Sequence, residues 1–94
     1  MNYTDNQLKT ALAKMLPSIA HVEFGKQIQY ALDTELLHLC WLVEENIPCE
    51  QWVTYVDELR FITVGLTKNM FFYPHATWQQ RTIALAKVKG VEIL

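Results

Sequence analysis

The chain has 94 residues, a net charge of −2 and 51% hydrophobic residues, among them three Trp, four Tyr and four Phe. One domain of this length lies near the size at which a single core suffices, and its apolar content excludes a disordered chain. No stretch approaches the roughly 20 apolar residues of a membrane span, and a pI near 5.8 is unlike the basic balance of a nucleic-acid reader.

Thr4 and Gln7 have the spacing of a capping box, in which each side chain meets the other's backbone N–H at a helix start. Leu8, Leu12 and Met15 then recur at near-helical spacing, with Ala11 and Leu16 beside them. Pro17 ends that helix, because it has no N–H and disfavours helical geometry in the residue before it. Residues 18–25 alternate Ala20, Val22 and Phe24 with His21 and Glu23, which fits a short strand or a loop.

A second helix is predicted from about residue 26 to 45. At about 100° per residue, Ile28, Ala31, Leu32, Leu36, Leu39, Leu42 and Val43 form one broad core stripe. Tyr30, Leu37 and Trp41 fall on the opposite side, so "LLHLCWLVEE" (residues 36–45) has more apolar faces than one core needs. Glu35 falls inside the core stripe of this wheel, so it is expected to be buried and ion-paired, with Arg60, Arg81 or a lysine as its cation. The sharper alternative for Glu35 is a carboxyl of raised pKa in a pocket.

Asn46 and Pro48 mark a break, and a third helix is predicted to about residue 67, with Trp52, Tyr55, Val56, Leu59, Ile62 and Leu66 as its stripe. The short link makes helices two and three an antiparallel pair. Met70, Phe71, Phe72 and Tyr73 read as a buried extended segment or a strand. Pro74 is expected to open a fourth, weakly amphipathic helix through about Lys89, capped by Gly90, with Trp78, Leu85 and Val88 on one side. The expected fold is mainly α, a single domain over residues 1–94. It is a bundle of about four helices around a central antiparallel pair, with a short β element as the alternative for residues 19–24, 69–73 and 91–94.

The charges are unevenly placed. Residues 27–67 carry Asp33, Glu35, Glu44, Glu45, Glu50, Asp57 and Glu58 against Arg60 alone, whereas residues 68–94 carry Lys68, Arg81, Lys87 and Lys89 against Glu92. The plain expectation is that the C-terminal region packs on the acidic middle and neutralises it; the sharper one is a surface that meets a charged partner.

Little in the sequence points to catalysis. His21, His38, His75, Cys40 and Cys49 contain no pair at zinc-ligand spacing, and His38 and Cys40 diverge on a helix. Cys49 stands near a helix start, where a thiol is acidified, but Glu50 opposes the thiolate; Ser18 lacks any motif context. No glycine-rich phosphate loop occurs. Neither enzyme activity, cofactor nor metal is therefore expected, and both cysteines are read as reduced thiols. The N-terminus lacks the regions of an export signal, so a cytoplasmic protein is the default.

The surplus apolar face is the strongest functional signal. Tyr30, Leu37, Trp41, Trp52 and Trp78 are the candidate anchors of an interface with a second copy, as a homodimer, or with another protein. The expected function is an adaptor, inhibitor or regulator that works by protein binding. The alternative is a DNA-binding regulator using residues 75–89, with Gln80, Arg81, Lys87 and Lys89 as the nucleic-acid contacts.

Overall fold

The structure, a computed structural model, describes residues 3–16, 28–63 and 76–94. Five helices occur among them: α1 (Asp5–Met15), α2 (Ile28–Thr34), α3 (Leu36–Glu45), α4 (Cys49–Thr63) and α5 (Trp78–Lys89). The protein is a mainly α bundle. No strand occurs among the described residues. The segments 19–24 and 69–73, the last turn expected for the third helix, and His21 and His75 lie outside them.

α1 starts as its sequence dictates. Gln7 N donates to Thr4 Oγ1 at 3.2 Å, and Thr4 N donates to Gln7 Oε1 at 2.8 Å, which satisfies two otherwise free N–H groups. Asp5 in the first turn and Lys14 in the last complement the helix dipole. Leu8, Ala11, Leu12 and Met15 are buried.

The long second helix is divided at Glu35, whose φ of −118° and ψ of 37° leave helical geometry. The break is local: Glu35 N donates to Ala31 O at 2.8 Å, and Leu39 N donates to Glu35 O at 3.0 Å. Beyond it, the buried positions of α3 and the residues after it are Leu39, Cys40, Leu42, Val43, Glu44 and Ile47, with Leu36 packed against the core. Burial therefore extends towards Cys40 and Glu44 and away from Glu35.

α5 begins later than Pro74. Thr77 is its N-cap and repeats the capping box of α1: Gln80 N donates to Thr77 Oγ1 at 3.2 Å, and Thr77 N donates to Gln80 Oε1 at 2.9 Å. At the other end Gly90 has φ +70°, a left-handed conformation that glycine adopts without a Cβ penalty. Both Gly90 N and Val91 N donate to Ala86 O. The final residues then run without regular structure, with Val91 and Ile93 packed on the core and Glu92 and Leu94 exposed.

The centre of the bundle differs from the expected pair of middle helices. α5 packs on α4, α1 and α3, whereas α3 and α4 meet each other much less. This explains the weak amphipathicity of α5: a helix with neighbours on several sides needs no polar face. Arg81, Thr82, Ala84, Leu85 and Ala86 are all buried in it. Leu12, Leu39, Val43, Tyr55, Leu59 and Leu85 are the large, fully buried side chains around it. Each fully buried Leu stabilises the fold by about 1.5–3 kcal/mol.

Candidate functional site

The outer side of α2 and α3 is where the sequence places its surplus apolar face, and it is open to solvent. Tyr30 is 65% exposed, Leu37 40% and Trp41 47%. Continued helical hydrogen bonding across Glu35 keeps the i, i+7, i+11 spacing of these three residues close to one stripe. Thr34 stands between them and is held by its Oγ1 donating to Tyr30 O at 2.9 Å. His38 lies beside Trp41, with ring centroids 6.4 Å apart and a 51° tilt. Glu45, one turn beyond Trp41, and Glu35, at the break, are both exposed.

The other two candidate anchors stand apart from this stripe. Trp52 is exposed near the start of α4 and rests against Tyr55, with ring centroids 5.4 Å apart. Trp78 is partly buried and packs on the core. Val53 and Phe61 are further exposed apolar side chains on α4.

Glu35 is not the buried acid. The expected buried ion pair belongs to Glu44, which is 5% exposed and accepts from Arg81 Nη1 at 2.9 Å. Tyr55 Oη also donates to Glu44 Oε2, and Arg81 Nε donates to Ala76 O at 3.1 Å. Tyr55 of α4 and Arg81 of α5 thus converge on the Glu44 carboxylate of α3, and Ala76 O holds the Arg81 guanidinium. A straight wheel misses Glu44 because Arg81 arrives from α5 on the Cys40 and Glu44 side and gives that carboxylate a buried cation. The available signal was spacing: Leu36, Leu39, Cys40, Val43, Glu44 and Ile47 repeat at three and four residues.

Cys40 lies next to this cluster. Its Sγ is 3.6 Å from Thr82 Oγ1 and 3.7 Å from Trp78 O. Burial pushes the thiol up to about 11, so it is a neutral core side chain rather than a nucleophile. Cys49 is an exposed free thiol. No three metal-ligating side chains come together among the described residues. No helix is long and apolar enough to cross a membrane, again among the described residues.

The residues assigned to nucleic-acid contact are mostly occupied within the fold. Arg81 is 2% exposed and bound to Glu44. Gln80 caps its own helix, and Lys87 bonds Glu58 at 3.1 Å. Lys89 is half-buried. Of these four, Arg81 alone is buried, and Gln80, Lys87 and Lys89 keep part of their surface outward on α5.

A cleft of about 380 Å³, which the sequence did not suggest, lies between α5, the end of α4 and the two ends of the described chain. Ile62, Ile83, Val91 and Ile93 give it an apolar wall, and Tyr3, Lys87 and Glu92 supply its polar groups.

No protein-family description, curated protein or solved structure matches the chain.

Proposed function

We propose that the protein is a small non-enzymatic interaction module, an adaptor, inhibitor or regulator, whose outer α2–α3 face receives a protein partner in the cytoplasm. The observation that supports this is the joint exposure of Tyr30, Leu37 and Trp41 on helices whose other side supplies Ala31, Leu39 and Val43 to the core. Three large side chains in one stripe make an apolar patch of about a few hundred Å², the size that marks interaction surfaces. Covering 200–300 Å² of it contributes on the order of 5–8 kcal/mol before the cost of association. Tyr and Trp suit the task, since they bring large contact areas with few rotatable bonds. The inward groups are used differently: Glu44, Tyr55, Arg81 and Cys40 bond one another or their neighbours inside the core, as structural groups do.

The partner is either a second copy or another chain, and position-specific cross-linking tests the reading for both. A photo-reactive residue placed at Leu37 or Trp41 in the cells that make the protein should join it to one discrete polypeptide. The same residue at exposed Gln51 or Thr54 should not. Equal cross-linking at all four positions, or none at any of them, would refute the module.

A further inference from the structure

We propose that the occupant of the outer α2–α3 face is a basic amphipathic helix of another protein; this rests on the reading of that face as a docking surface. No Lys or Arg occurs from residue 27 to residue 59. Among the described residues of α2, α3 and α4, the exposed charged side chains are Glu35, Glu45, Glu50 and Asp57 against one cation, Arg60 near the end of α4. The fold neutralises two other acids of the region, Glu44 through Arg81 and Glu58 through Lys87. Of the exposed acids, Glu45 stands one turn beyond Trp41 on α3, and Glu35 is exposed at the junction of α2 and α3 that the apolar stripe crosses.

This layout disfavours a second copy. A two-fold interface presents the same patch from both sides, so a second copy brings the carboxylates of residues 28–59 to this face and no Lys or Arg of that stretch. Like charges brought together at an interface work against the complex, whereas a basic partner turns the same groups into attraction and faster encounter. An amphipathic helix supplies both parts at once. Its Leu or Phe side chains at i, i+4 and i+7 cover Leu37, Trp41 and Tyr30, and its flanking Lys or Arg reach Glu35 and Glu45. An Arg at that flank can also stack on the indole of Trp41.

The test uses the full chain and three synthetic helical peptides. One has a leucine face flanked by lysines, one has the same face flanked by glutamates, and one has the first peptide's composition scrambled to destroy its face. Titration calorimetry should find the lysine-flanked peptide bound at least about tenfold more tightly than the glutamate-flanked one at low salt. That ratio should fall towards one at about 1 M salt, where the screening length is about 3 Å. Trp41→Ala should weaken binding about tenfold or more. The scrambled peptide should bind no better than the glutamate-flanked one. A Glu35→Gln, Glu45→Gln double variant, checked for helicity, should lose the preference for lysine while keeping the salt-insensitive apolar binding.

A preference for lysine that survives in the double variant, or equal binding of the two amphipathic peptides, would overturn the basic partner. So would self-association in sedimentation that Trp41→Glu abolishes, although that result leaves the docking face standing. If no peptide binds, the protein stays monomeric and cross-linking at Trp41 fails, both the partner and the face are overturned.

Discussion

Arg81 and Glu44 are the residues on which the interior depends most. Their side chains are 3% and 4% exposed, so neither charge is hydrated. Removing one partner leaves the other buried alone, and Glu44→Ala should cost about 3–5 kcal/mol. Tyr55→Phe removes one donor to the same carboxylate and should cost about 1–2 kcal/mol. Chemical denaturation of the two variants checks both size and order; equal, small effects would mean that Glu44 is hydrated. The thiols give a second test at this scale. Cys49 should react with a thiol reagent in the native state, while Cys40 reacts only on unfolding. Because the folded Cys40 thiol is raised from 9.0 to about 11, its contribution to stability is fully present below pH 9. It is lost as pH rises towards 11, since the unfolded thiol ionises first. Wild type should therefore lose more stability than Cys40→Ala, each against its own pH 8 value, as pH is raised through that window.

Helix ends and faces were legible where a local rule governs them. The capping box at Thr4, the turn at Asn46–Pro48, the Gly90 cap and the outward stripe of Tyr30, Leu37 and Trp41 are all set within a few residues of chain. The start of α5 follows the same rule, for Thr77 and Gln80 repeat the spacing of Thr4 and Gln7; Pro74 was the weaker signal because it fixes φ but satisfies no N–H group. The burial of Glu44 was not legible, since it depends on where α5 brings Arg81. The centre of the bundle was hidden for a related reason. A helix enclosed on several sides has little amphipathic contrast, so α5 resembled a peripheral element. The caps can be tested individually. Thr77→Ala should lower stability by about 0.5–2 kcal/mol, and Gly90→Ala by about 1 kcal/mol through backbone strain alone, since open space surrounds the position where a Cβ would stand. Thermal unfolding of both variants reads this, and a Gly90→Ala protein as stable as wild type would contradict the left-handed cap.

Across the whole molecule, the uneven charge of the sequence resolves partly inward and partly outward. Arg81 and Lys87 of the C-terminal region meet Glu44 and Glu58 of the acidic middle, as packing of the one on the other requires. The two contacts differ in weight. Lys87 is 63% exposed, so Lys87→Ala should change stability by less than about 1 kcal/mol, in contrast to the buried pair. Glu35, Glu45, Glu50 and Asp57 remain exposed, and Tyr30, Leu37 and Trp41 form an outward apolar stripe on α2 and α3. The central claim is that Trp41 belongs to that stripe, and equilibrium unfolding of Trp41→Glu tests it most directly. Half-exposed Trp41 should lose about 1–2 kcal/mol on replacement by Glu, less than the about 2–5 kcal/mol that Leu39→Ala costs on the opposite, fully buried side of α3. A Trp41→Glu protein destabilised as much as Leu39→Ala would place Trp41 in the core and contradict the account.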